Sequence, residues 1–185
     1  MKKNLYIATM VLGLGCASML NAADTSEGGV ELVDTQAVTS TLTQDQIDGL
    51  VFMYQEEKLA RDVYRKLKNK WHLRVFENIV KAERRHMNKV KRLLDYYHIP
   101  IPVDSKEIGV FADEELQALY KDLLAKGRQS REDALEVGVL VEETDIADLK
   151  ERMTDIPRKI RRVYRNLLQG SRSHLKAFNR QLERL

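Results

Sequence analysis

The sequence predicts an all-α protein: a bundle of four long amphipathic helices, with a long crossover after the second that carries an extra short helix. Three observations predict it. Apolar residues recur every three or four positions along four separate stretches between Leu42 and about residue 182. The starts of those stretches carry side chains that cap helices. The connection after the second stretch is long and opens on His98-Ile99-Pro100-Ile101-Pro102, which removes helical options.

Ahead of the bundle, Lys2 and Lys3 precede an uncharged run from Leu5 to Leu20, and Ala22, Ala23, Asp24 and Glu27 follow. That pattern fits a secretory signal peptide over residues 1–22, cleaved near Ala22, better than a spanning helix. The mature protein is therefore expected to be periplasmic or secreted, with no stable membrane insertion. A lipid anchor on Cys16 is the competing reading, which Gly13 and Leu14 fit poorly. Residues 23–41 are rich in Thr, Ser, Asp, Glu and Gly without an apolar period and read as a flexible leader. The bundle domain is expected over 42–185.

Cys16 is the sole cysteine, so cleavage leaves neither a disulfide nor a thiolate ligand. Any metal must then be held by oxygen and nitrogen donors. The formal charge of +3 falls to +1 once Lys2 and Lys3 are removed, a balance that demands no nucleic acid. The ~160 residues that remain suit one domain with a single sizeable core.

Thr43 and Gln46 form a capping box, and Leu42 with Ile47 stands at the positions of a hydrophobic staple, so the first helix starts there and runs to about Lys68. Its stripe is Ile47, Leu50, Tyr54, Glu57, Ala60, Tyr64 and Leu67. Glu56 falls beside Phe52, Leu59 and Val63 on a second apolar face, so spacing leaves Glu56 and Glu57 as alternatives. Asn69, Lys70 and Trp71 are expected to turn the chain into a second, antiparallel helix from about His72 to Tyr97. Its stripe of Phe76, Ile79, Val80, Glu83, Met87, Val90, Leu94 and Tyr97 places Glu83 mid-face, with His86 one turn on.

Within the crossover, Asp113 caps a short helix that Gly127 stops, with Leu116, Leu119, Tyr120 and Leu123 on one side. Ser130 and Asp133 open the third long helix, to about Met153. Its stripe is Leu135, Val139, Glu142, Ile146, Leu149 and Met153. Asp145 lies on the flank one turn after Glu142, while Glu143 points about 100° away and is the weaker inward candidate. Thr154 or Asp155 starts the last helix, with Pro157 in its first turn and the stripe Ile160, Val163, Leu167, Gly170, His174 and Phe178. The cations of this helix, from Arg158 to Arg184, read as a solvated face balanced by acidic neighbours.

A carboxylate or imidazole thus interrupts each of the four apolar stripes. An ionised carboxylate left unpaired in a core costs several kcal/mol, so it must be protonated, paired or metal-bound. At ~1.5 Å per residue, Glu57, Glu83 and Glu142 lie within about one turn of the same depth from their own helix starts, with His174 deeper. One Glu, then Glu-x-x-His, then one Glu, then a His is the ligand order of a carboxylate bundle with one Glu missing, because Ser171 stands three residues before His174.

Here the chain resembles a known family. Glu56-Glu57-Lys58-Leu59-Ala60-Arg61-Asp62-Val63-Tyr64, Glu83-Arg84-Arg85-His86, Glu142-Glu143-Thr144-Asp145 and Gly170-Ser171-Arg172-Ser173-His174 are similar to segments of a prokaryotic ferritin-like family of unknown function, distantly related to rubrerythrins. The resemblance covers about residues 42–182. It implies a ferritin-like four-helix bundle with Glu57, Glu83, His86, Glu142 and His174 as metal ligands, and iron (Fe2+/Fe3+), or manganese or zinc in its place, as cofactor. Asp145 is available to supply the carboxylate that Ser171 lacks, and unequal loading of two metal positions is expected. Metal ions are the expected partners, with a homodimer as a candidate assembly. Iron oxidation or peroxide chemistry is the implied activity. The alternative is a metal-free helical bundle that binds a partner, which Ser171 favours and the five remaining ligands oppose.

Overall fold

The structure, a computed structural model, describes residues 42–185. The expected signal peptide, the lipid-anchor alternative at Cys16 and the leader lie outside those residues. Among the described residues there are five helices and no strand: α1 Gln44–Trp71, α2 Arg74–Tyr96, α3 Glu114–Gly127, α4 Arg131–Glu151 and α5 Arg158–Leu182. None of them is long and apolar enough to cross a membrane.

Local chemistry explains the boundaries. Both halves of the capping box form at the start of α1: Thr43 Oγ1 accepts from Gln46 N, and Gln46 Oε1 accepts from Thr43 N at 3.1 Å. α1 continues through the three residues read as a turn. His72 alone, at φ 54, reverses the backbone before Leu73 and α2. Trp71, kept helical, donates its indole N–H to Gly127 O at 2.7 Å and docks the end of α1 on the end of α3. Asp113 and Ser130 cap α3 and α4 as expected. The last helix begins at Arg158, later than expected. Pro157 is its cap, and Asp155, at φ 48, offers its carbonyl to Gln46 Nε2 instead.

α1 packs along α2, α4 along α5, α2 against α5 and α1 against α4, while α3 rests on α1 and α4. The residue pairs fix the directions. Tyr64 meets Phe76 while Glu57 meets His86, so α1 and α2 run antiparallel. Gly138 meets Phe178 while Asp145 meets Ser171, which does the same for α4 and α5.

The apolar core is divided in two. One cluster, around Tyr64, Leu67, Phe76, Leu135, Val137 and Phe178, lies toward the C-terminal end of α1. The other, around Leu50, Met53, Tyr54, Met87, Leu94, Leu149, Tyr164 and Leu167, lies toward its N-terminal end. Between them α1 contributes residues 55–58, α2 residues 83 and 86, α4 residues 142 and 145, and α5 residues 171 and 174. That layer is polar.

The crossover is fastened to α1 by buried charge. Lys58 Nζ donates to Asp62 Oδ2 (2.9 Å), Glu107 O (2.6 Å) and Val110 O (2.9 Å), which uses all its protons. Arg61 donates to Asp62 Oδ1 and to Ser105 O, and Asp62 Oδ2 also accepts from Gly109 N. Gln55 Oε1 accepts from Ala112 N and Asp113 N. Backbone groups of a loop that would otherwise be stranded against a helix are thus satisfied.

Candidate metal centre

The helices bring the six candidate residues into the polar layer. Glu57, Glu83, His86, Glu142 and Asp145 are buried, and His174 keeps an edge exposed. Their spacing does the local work. Residues three apart on a helix share a face, so Glu83 with His86 and Glu142 with Asp145 point inward together. Of the alternatives left by spacing, Glu57 faces His86, and Glu143 is exposed where Glu142 is 2% exposed.

Glu83 stands at the centre. Its Oε2 lies 2.9 Å from His86 Nδ1, and its Oε1 lies 2.7 Å from His174 Nδ1. Each imidazole has a second carboxylate beyond it: Glu57 Oε2 is 3.4 Å from His86 Nδ1, and Glu142 Oε1 is 3.4 Å from His174 Nδ1. Two Glu–Glu–His groups therefore share Glu83, and within each the donor atoms lie within 4.8 Å of one another. The two rings stack with centroids 5.5 Å apart.

Several of these atoms have nothing to bond to. Glu57 Oε1, Glu83 Oε1, Asp145 Oδ1 and His174 Nδ1 are buried without a hydrogen bond. His174 Nδ1 comes close to Glu83 Oε1, yet off the axis that an N–H bond needs. Lone pairs facing one another in a dry layer are costly unless protons or a cation stand between them. The donor set, carboxylate oxygen and imidazole nitrogen, suits first-row divalent metals.

The proton balance agrees. Burial alone would push the Glu83 carboxyl up, but His174 and His86 together hold it down at about 2. Burial, with the Glu83 charge added, pushes Glu142 up to about 8, and burial pushes Asp145 up to about 7. Burial opposes the charged form of His174, yet Glu142 and Glu83 raise it to about 10. Burial, then the charges of Asp145 and Glu83, drives Glu57 well above the carboxylate range. Without a cation, protons are held on Glu57, Glu142 and His174 while Glu83 stays ionised between the imidazoles.

Ser171 does not face an empty place. Its hydroxyl donates to Asp145 Oδ2, so the carboxylate absent from α5 has a counterpart on α4. Tyr64 donates its hydroxyl to Glu142 Oε1 at 2.8 Å.

Comparison with known proteins places the chain. The model of the uncharacterized protein domain DUF2202 matches residues 46–185. The chain belongs to the DUF2202 family. Uncharacterized protein MJ0754 of Methanocaldococcus jannaschii is 47% identical over 142 residues, covering 76% of this chain and 77% of that protein. The crystal structure of hypothetical protein MJ0754 from Methanococcus jannaschii is similar at TM-score 0.75 and 46% identity, over 77% of this chain and 82% of the other.

Three features of this DUF2202 chain escape a reading by periodicity. Tyr64 counts as core by spacing, and only its neighbour across the bundle makes its hydroxyl a partner of Glu142. Gly170 looks like a gap in an apolar stripe, but it leaves room for the His86 ring. Lys58, Arg61 and Asp62 look like solvated charges and are instead buried under the crossover. Their one sequence signal is that Asp62 follows Lys58 by four residues on a helix with two apolar faces.

Proposed function

We propose that this chain is a ferritin-like four-helix metal protein in which Glu57, Glu83, His86, Glu142 and His174, with Asp145 beside them, hold two transition-metal ions, iron before manganese or zinc. The observation that carries the reading is the position of Glu83. Its two oxygens each approach a different imidazole, each backed by a further carboxylate, and buried donor atoms there lack hydrogen bonds. The pairing of helices adds support. α1 with α2 and α4 with α5 form two antiparallel pairs joined by the long crossover, the order expected of a ferritin-like bundle.

Bound in this layer, a pair of redox-active ions supplies electrons to O2 or peroxide, and the reading is therefore iron oxidation or peroxide removal. The chain's own part is to receive and guard. Glu142 and Asp145 hold protons that a cation displaces. Tyr64 orients Glu142, and the apolar clusters on either side keep bulk water out. Export to the periplasm belongs to the same reading, on the strength of Lys2, Lys3 and the run that follows them.

Metal analysis of the protein purified without an affinity tag or chelator tests the proposal. Between about one and two iron, manganese or zinc ions per chain are expected. Glu83→Ala and His86→Ala should lose metal and stay helical by circular dichroism, since removing buried charge need not destabilise a bundle. Wild-type protein that takes up no metal from any of the three salts points instead to a metal-free partner-binding module.

A further inference from the structure

One buried carboxylate has no part in that site. Glu56 is 4% exposed, and its Oε2 has no hydrogen-bond partner. The charges that act on it most strongly are acidic: those of Asp145 and Asp148 on α4, and of Glu57 beside it. Asp148 is half-buried and reaches the surface. Inward, Asp145 leaves Oδ1 without a partner, its charge acts on Glu57, and the charge of Glu83 acts on it. Carboxylates therefore follow one another from half-buried Asp148 through Glu56 and Asp145 to the Glu83 layer.

The exposed edge of His174 is a second opening to solvent, while two other approaches are less favourable to a cation. Along the bundle axis the layer is sealed by the two apolar clusters. On the α2–α5 side the His86 ring fills the space over Gly170, and the same two helices carry exposed Arg84, Arg85 and Arg172 in these turns. α5 has no Asp or Glu between Arg158 and Leu182, whereas α4 is predominantly acidic. Arg152, 4.5 Å over the Phe52 ring, is a cation at the α1–α4 seam one turn beyond Asp148, yet the balance of charge on α4 still favours cations over that on α5. A carboxylate that hands a cation on must itself be free of cationic partners, since a salt bridge would occupy the oxygens that replace the ion's water. Glu56 meets that requirement at a burial where leaving a carboxylate unpaired is otherwise hard to explain.

We propose that Asp148 and Glu56 form an entry relay for divalent cations, passing them by way of Asp145 to Glu57 and Glu83. The relay rests on the two-metal reading of the central layer. Its signature is kinetic, because a path changes the rates in and out by the same factor and leaves the equilibrium alone.

The test uses the full mature chain freed of metal, mixed with Co2+ and followed by the visible absorption of the bound ion, with equilibrium dialysis alongside. Glu56→Gln and Asp148→Asn are expected to slow both uptake and release about tenfold, with Co2+ per chain and Kd unchanged. Glu143→Gln removes the same charge from an exposed position on α4 and should keep wild-type rates. Uptake at the wild-type rate in both relay variants overturns the relay. So does a Kd weakened by the factor by which uptake slows, since Glu56 would then act on the bound state. If Glu56→Gln loses its helical spectrum, the half-buried Asp148→Asn decides alone. A wild-type chain that binds no Co2+ overturns the two-metal reading itself, a result separate from any change of rate.

Discussion

The imidazole of His86 occupies the volume that a side chain at residue 170 would fill: a Cβ built on Gly170 would stand 2.5 Å from His86 Nε2. Glycine inside a helix ordinarily costs about 1 kcal/mol relative to alanine. Here its lack of a side chain lets α5 pass the ring that faces Glu57 and Glu83. Gly170→Ala should therefore overpack the buried ring at a cost of about 1–3 kcal/mol, offset by about 1 kcal/mol of helix propensity, while metal affinity falls at least about tenfold as His86 is pushed aside. Thermal unfolding and a Co2+ titration on the same sample check this. Unchanged affinity would mean that the ring moves without cost and does not position the metal.

The raised carboxyls make stability depend on pH with a definite sign. Glu142 at about 8 and Asp145 at about 7 lie above their ordinary values of 4.5 and 3.8. The folded chain therefore holds more protons than the unfolded one between about pH 4 and 8, and the stability tied to them is complete below that window and lost as pH rises through it. His174, at about 10 against 6.5, extends the loss upward. Glu83 works the other way, because its value of about 2 costs stability only as pH falls below 4.5. Metal-free protein should thus show its highest Tm near about pH 4–5 and a lower one at about pH 8, and metal should reverse the trend by displacing the protons. Calorimetry of metal-free and metal-loaded samples across that range is the check, and a metal-free Tm that rises from pH 5 to 8 contradicts it.

Asp145 changes what is expected at residue 171. Ser171 is 1% exposed, and its hydroxyl is held by Asp145 and Leu167 O, so a Glu placed there meets a carboxylate already in position. Ser171→Glu alone should destabilise the metal-free chain by about 1–3 kcal/mol. The exchange Asp145→Ser with Ser171→Glu returns the carboxylate to α5 and should recover both stability and metal stoichiometry. Urea unfolding with metal analysis of the two variants separates this from simple overpacking, in which the double variant would fare no better.

Lys58 tests the division of labour within α1. It is fully buried and holds Asp62 and the carbonyls of Glu107 and Val110. Lys58→Met should cost about 3 kcal/mol in urea unfolding, because buried partners lose their donor. Metal content of the folded variant should match wild type. Loss of metal without loss of stability would place Lys58 in the site instead.

The end of α1 and the start of α5 fell elsewhere than expected, but by itself the sequence determined the five helices, the caps of α1, α3 and α4, and the residues that interrupt each apolar stripe. These are local matters: side chains three or four apart share a helix face, and a Thr or Ser at a helix start bonds within the next turn. It therefore singled out Glu83 and His86 and brought Glu142 and His174 to notice. It left Glu56 and Glu57 level, because α1 is buried over both faces and periodicity then loses its direction. Only the packing of α1 against α2 turned Glu57 toward His86 and Glu56 toward α4. The same holds for Asp145 meeting Ser171, for the space over Gly170 and for the Lys58 and Arg61 contacts with residues 105–110. Each depends on which surface lies opposite across the bundle, and the relative rotation and register of helices distant in the chain settle that, beyond the reach of any three- or four-residue repeat.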